Sequence, residues 1–249
     1  MKTVAGVLTL ETAEITAVAN ASRYYGSYLD TTTQTNLALA TGINIAKLNT
    51  TIGQSGFTLV IGTIPFTSGG TTAISAGNTV TGGTSGATAT VNVVGELFSG
   101  SWAGGDAVGV LFVTVVSGVF QAAEALLVSA VDRGTIGIIP KLDTIVIGNT
   151  GVYNLQYSAQ AAKTDAGVDD IDIWLMIDGL NVAASLGRES LGGPSEEAIF
   201  TTIFTQSFTA NQRVCLAWNS TDVDLSLTAF AAGTTPTTPV SPSIIVSIF

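Results

Sequence analysis

The stretch Asp169-Asp170-Ile171-Asp172-Ile173-Trp174-Leu175-Met176-Ile177-Asp178-Gly179 decides how this chain folds. Ile171, Ile173, Leu175 and Ile177 alternate with Asp170, Asp172, Trp174 and Met176. Successive strand residues point to opposite faces, so a period of two predicts a strand with one buried face, turning at Asp178-Gly179. Comparable segments occupy residues 152–161, 198–208, 214–218, 225–231 and 243–248, each bounded by Gly, Asn, Asp, Pro or Thr. Short strands with turn residues between them predict an all-β sandwich or barrel. No helical period of similar strength competes with this pattern.

The rest of the chain extends the all-β pattern. Residues 1–22 are apolar without a clean period, and read either as an N-terminal arm docking on a neighbour or as one more strand of the same sheet. Within them, residues 11–19 could also make a helical turn or two. Residues 37–48 read as an extended strand. Residues 53–132 are Gly-rich and almost uncharged. There Val80, Ala87, Ala89, Val91 and Val93 offer strand faces, while Trp102, Leu111, Phe112, Phe120, Leu126 and Leu127 offer a core. Eighty such residues are too many for a loop and enough for a small β-barrel. Residues 133–149 then re-enter the first sheet. Residues 186–197 read as a flexible Gly-rich excursion, and 233–242 as an extended Pro/Thr connection into the last strand.

Composition narrows the function. The 249 residues allow one large or two small domains, and only 10% of them are charged. So few charges imply a surface partly hidden against copies of the chain or a partner, the alternative being a merely neutral Thr-rich β surface. The net charge of −10 argues against nucleic acid, which needs a basic face. No apolar run approaches the ~18 residues of a membrane helix. Glu11 and Glu14 cut short the apolar start of the chain, so no export signal is expected. Histidine is absent, which removes the commonest general base and transition-metal ligand. Cys215, the one cysteine, sits between apolar neighbours and reads as a buried, inert thiol.

Several motifs carry a resemblance. Gly151-Val152-Tyr153-Asn154-Leu155-Gln156-Tyr157-Ser158-Ala159-Gln160 resembles the "GxYxxxFSxQ" strand of a domain common in tailed-phage virion proteins. Residues 171–185 resemble its "vdiWlxxNGxxvxxS" strand pair, 209–218 its "xaGDxvxlxWs" strand and 239–248 its closing "PaiPSvivtv" strand. Asp30-Thr31-Thr32-Thr33-Gln34-Thr35-Asn36 is similar to an early segment of the same family. Asp178 stands where Asn is usual, and Asn211-Gln212 where Gly-Asp is usual, but these are turn-competent replacements. Residues 77–91 resemble a "GexvtGatSGAtAtV" motif of phage structural proteins, and 116–124 its "vsGxFqxGE" sequel, with Ala123 in place of Gly. That replacement leaves open whether the turn there is built differently.

The resemblance implies a jelly roll of the tumour-necrosis-factor type, non-enzymatic, virion-borne and homotrimeric. Together with the residue pattern it gives an all-β chain: an N-terminal arm at 1–22, a jelly-roll sandwich at 23–52 plus 133–249, and a smaller β-barrel-like domain inserted at 53–132. Two tandem domains are the alternative arrangement, and the phage-like segment at 25–36 favours insertion.

Chemistry-bearing residues are few. Asp165, Asp169, Asp170, Asp172 and Asp178 form the densest acidic group, but their spacing is not that of an EF-hand loop. A solvated strand edge is the favoured reading, and no metal is expected. Trp174 and Trp218 could stack on a sugar or pack at an interface, with packing favoured. With Tyr153 and Tyr157 they form the candidate interface or ligand face. Glu196 and Glu197 are adjacent on a strand and point apart, so they cannot act jointly on one bond. No nucleophile has a base beside it, no P-loop or dinucleotide motif is present, and no cofactor or catalysis is expected.

The expected function is that of a virion structural protein: a trimeric capsid decoration, or cement, protein on the capsid exterior. Its partners would be itself and the major capsid protein or other virion proteins, with no nucleic acid and no membrane. The alternative is a tail-fibre or knob module recognising a host surface glycan near Trp174, Trp218 or residues 186–197.

Overall fold

The computed structural model describes residues 2–4, 7–9, 24–36, 43–137 and 142–249. In chain order the strands are β1 (Lys2–Val4), β2 (Val7–Thr9), β3 (Tyr25–Asp30), β4 (Gln34–Thr35), β5 (Asn44–Ile45), β6 (Thr50–Ser55) and β7 (Phe57–Val60). There follow β8 (Thr63–Gly69), β9 (Thr79–Gly82), β10 (Thr88–Ser99), β11 (Ala107–Ser117), β12 (Ala125–Val128) and β13 (Val131–Ile136). Next come β14 (Thr144–Ile147), β15 (Gly151–Lys163), β16 (Asp169–Ile177), β17 (Leu180–Asn181) and β18 (Gly187–Leu191). The last are β19 (Glu197–Phe208), β20 (Arg213–Ser220), β21 (Leu225–Leu227) and β22 (Ile244–Ile248).

The chain is all-β, with a jelly-roll-like sandwich and a closed barrel. One sheet of the sandwich runs β4-β21-β15-β22-β3-β6, with β19 on the free side of β15. The other runs β17-β16-β20-β14-β7, with β18 and β5 also attached. Their facing sides supply the main core, including Tyr28, Leu155, Tyr157, Ile171, Ile173, Leu175, Trp218 and Val246.

Strands β8 to β13 close into a six-stranded barrel around Phe66, Val80, Ala89, Val91, Leu111, Phe120, Leu126 and Ile136. Trp102 stacks on Phe66 with ring centroids 5.0 Å apart. Strands β7 and β14, which flank the barrel in sequence, pair directly with each other, Thr144 opposite Val60 and Ile147 opposite Phe57. The barrel therefore sits in the connection between two neighbouring strands of the sandwich.

The strands relocate the predicted boundaries. Residues 53–60 belong to sandwich strands β6 and β7, and 133–136 belong to barrel strand β13. The chain leaves the sandwich between Val60 and Thr63 and returns between Ile136 and Thr144. At this crossing the Lys47 Nζ donates to Asp143 Oδ2 at 2.7 Å and to Thr63 Oγ1 at 3.1 Å. The Gly62 N–H donates to Asp143 Oδ1 at 2.8 Å. One buried carboxylate thus ties both ends of the barrel segment to the sandwich.

Other expectations meet the structure unevenly. The turn at Asp178-Gly179 has φ of +52° and +80°, the left-handed pair of a tight hairpin. Residues 186–197 are not a simple loop. Strand β18 lies within them, pairs with β16 and buries Leu191. The predicted strand at 225–231 is shorter, ending at Leu227. Strands β1 and β2 pair with each other, and among the described residues neither joins a sandwich sheet. The predicted helical turns at 11–19, and residues 37–42 of the predicted strand at 37–48, lie outside the described residues.

A third cluster joins the barrel to the sandwich. Val110 and Phe112 of the barrel pack with Ile45, Met176, Cys215 and Ala217 of the sandwich. Strand β16 is therefore buried on both faces near its end. Met176, on the face predicted to be open, is only 2% exposed.

Candidate functional site

The longest pairing in the sandwich joins β15 and β19, from Gly151 opposite Phe208 to Ala162 opposite Glu197. On β15 the inward set is Tyr153, Leu155, Tyr157, Ala159 and Ala161, all buried. The outward set is Val152, Asn154, Gln156, Ser158 and Gln160. On β19 the outward residues opposite them are Ser207, Thr205, Ile203, Thr201 and Ile199. Strands β22 and β3 continue this face with Ile245, Ser247, Ser27 and Leu29.

None of these outward residues carries a charge, although the chain as a whole has a net charge of −10. Val152, Ile199 and Ile203 are 68%, 70% and 59% exposed. Among the described residues β19 pairs only with β15, so its outer edge offers a row of free backbone N–H and C=O groups. Sheet edges are commonly guarded by Lys, Pro or a bulge. Strand β19 has no Lys or Pro, its register with β15 is unbroken, and its one charge is the terminal Glu197. An uncharged, partly apolar face beside an unguarded edge can bury itself against another protein surface at little desolvation cost.

The four aromatic residues singled out in the sequence are not on this face. Trp218 is 1% exposed and Tyr157 0%, both in the sandwich core, where Tyr157 lies 6.1 Å from Phe200 and 6.0 Å from Phe204. Tyr153 packs edge-on to Phe57 at 5.2 Å, and its hydroxyl donates to the Asn149 carbonyl at 2.9 Å. Trp174 is half-buried against the barrel–sandwich cluster, its Nε1 donating to Asn181 Oδ1 at 2.7 Å. The structure therefore does not bring the four rings to one surface. The alternation of β19 carried the missed signal: Ile199, Thr201, Ile203 and Thr205 form an uncharged outer face opposite Phe200 and Phe204.

The acidic group divides. Asp170 and Asp172 share the outer face of β16, where the Arg188 Nε and Nη2 donate to the two oxygens of Asp172, each at 2.7 Å. Asp169 turns inward to the buried Lys163 ammonium. Asp178 Oδ1 accepts the Arg213 N–H at 2.9 Å in the hairpin. Asp165 meets Asp222 and Asp224 instead, one carboxylate oxygen of each lying within 4.8 Å of the others. Lys163 Nζ lies 3.2 Å from Asp165 and already supplies a positive charge there. Glu196 caps its own loop, accepting the Gly193 N–H at 2.9 Å and the Gly192 N–H.

Cys215 is buried, and burial pushes its thiol pKa well up, with the nearby Asp143 charge adding to this and Lys47 opposing it. No helix among the described residues is long and apolar enough to cross a membrane. No family model matches the chain, and no curated protein matches it.

Proposed function

We propose that this chain is a structural protein of a tailed-phage virion, acting as a homotrimeric decoration protein on the capsid exterior. The observation that carries the reading is the uncharged outer face of β19, β15, β22 and β3, with its unguarded edge. Copies with a net charge of −10 repel one another at most approaches. A face without charges is where they can meet.

The dimensions support this reading. At ~3.3 Å per residue and ~4.8 Å between strands, the face covers about 550 Å² per copy. Specific interfaces begin at about 600 Å² per partner, so this face and the β19 edge together reach the required size. The motif resemblances in residues 25–36, 77–91 and 151–248 supply the virion setting. Each copy would make modest contacts with the shell, and three linked copies would hold far more tightly than one.

The test is the mass of the purified protein by light scattering, followed by co-sedimentation with undecorated capsid shells. The reading expects three copies of the 25.3 kDa chain and saturable binding to shells. A monomer that leaves the shells bare would contradict it.

A further inference from the structure

We propose that the cleft between the barrel and the sandwich binds a neutral carbohydrate of one or two rings. This goes beyond the virion reading and stands without it.

The cleft encloses about 400 Å³. Ligand pockets begin at about 300 Å³, so the space suits a small molecule and not a macromolecular segment. The barrel contributes Phe66 and Phe98 to its wall, and the sandwich contributes Trp218. The end of β3 adds Asp30, and the loop after it adds Thr32 and Thr33. Aromatic rings and hydroxyls lining one cleft suit a ligand with an apolar face and a polar rim, as a sugar ring has.

Two wall residues carry polar atoms with no partner. Among the described residues Asp30 Oδ2 accepts no hydrogen bond and Trp218 Nε1 donates none, although the two residues are 0% and 1% exposed. The other Asp30 oxygen is engaged: Oδ1 accepts the Thr32 N–H at 2.7 Å and the Thr32 hydroxyl at 2.6 Å. Buried polar groups in folded proteins are nearly always paired, so an orphan donor and an orphan acceptor in one wall point to a partner from outside the chain.

The pair of orphans selects the ligand class. A hydroxyl both donates and accepts, so a polyol answers Asp30 and Trp218 together. An alkylammonium answers only Asp30. A carboxylate or phosphate answers only Trp218 and is repelled by Asp30. Among the described residues of the wall the one cation is Lys47, which is already held by Asp143 at 2.7 Å and is not free to recruit an anion. The cleft is lined by Trp218, one of the three places near which a glycan site was expected from the sequence, and by neither Trp174 nor residues 186–197.

The experiment is ligand-observed NMR on the full chain with a panel of neutral probes: glucose, galactose, N-acetylglucosamine and maltose. Butylamine and inorganic phosphate serve as the competing classes. Binding of at least one sugar is expected. Asp30→Asn, which preserves size and Oδ1, is expected to weaken it about tenfold. Val108→Trp, which fills the cleft from the barrel side, is expected to abolish it. Both variants are checked for unchanged far-ultraviolet circular dichroism and melting temperature. Absence of binding by every sugar, binding of butylamine or phosphate in their place, or sugar binding indifferent to both folded variants would overturn the proposal.

Discussion

Glu124 accepts both the backbone N–H and the hydroxyl of Ser85, each at 2.8 Å. The same carboxylate accepts the Thr84 N–H at 3.0 Å and the Gln121 N–H at 2.7 Å. A Cβ on Gly82 would stand 2.4 Å from Glu124 Oε1, which is why the turn after β9 opens on glycine. One acidic side chain therefore closes the turn of the "TSGAT" motif from forty residues away, and accounts for the Glu that ends the second motif.

Burial alone would raise the Glu124 pKa, but these four hydrogen bonds outweigh it and hold the carboxyl below the usual range. A depressed folded pKa contributes stability in full above the unfolded value, about 4.3, and loses it as pH falls through the folded value. Glu124→Gln turns an N–H toward donors and is expected to cost about 2 kcal/mol at pH 7. Urea unfolding at pH 7 and at pH 3 measures both effects. The gap between wild type and variant should shrink at the lower pH.

Ala123, beside it, has a φ of +61°, so the turn keeps the left-handed conformation that the usual Gly adopts freely. An L-residue is disfavoured there by roughly 1 kcal/mol, partly offset by the greater chain entropy of Gly. Ala123→Gly is expected to stabilise the protein by about 0.5 kcal/mol, seen as a melting temperature raised by about 1–2 °C. An unchanged or lower melting temperature would show that the strain is relieved elsewhere.

Cys215 should be silent in the folded protein. A thiol reagent at pH 8 is expected to leave it unmodified, and to react in full once urea unfolds the chain. Burial raises its folded pKa, so its contribution to stability is complete below the unfolded value, about 8.5, and is lost as pH rises above that. Between pH 8 and 9.5 the unfolding free energy should fall, and Cys215→Ala should flatten that slope.

The outer face of β19 is the place to break self-association without harming the fold. Ile199→Glu with Ile203→Glu puts two charges on exposed positions whose paired neighbours are Gln160 and Gln156. Each is expected to weaken association about tenfold or more, with the melting temperature of the dissociated chain unchanged. Sedimentation equilibrium across a concentration series provides the measurement.

Much of the fold was legible because strand periodicity depends only on which residues alternate. Ile171, Ile173 and Leu175 are all fully buried, as their spacing predicts. Met176 was misread for the same reason: periodicity marks one buried face but carries no sign that Val110 and Phe112 of the barrel cover the other. Strand β20 did show it, since Val214-Cys215-Leu216-Ala217-Trp218 is apolar at every position and is buried at every position. The boundary at Ile136 was missed because Ile136, Ile138 and Ile139 look alike, and only pairing with Phe66 assigns the first to the barrel. The candidate site was less legible. Aromatic residues attracted notice as a ligand face, yet Tyr153, Tyr157 and Trp218 are core. The outer face is built of Thr, Ser, Gln, Asn and aliphatic residues that are unremarkable singly and meet only when β15, β19, β22 and β3 align.

The central claim is a trimer bound to the outside of a capsid, and cryo-electron microscopy of the virion carrying this chain tests it most directly. The account predicts three-lobed density bridging capsid subunits, with the β15–β19 faces of the copies turned toward one another. Density for this chain confined to the tail tip, or copies bound singly with those faces in solvent, would contradict it.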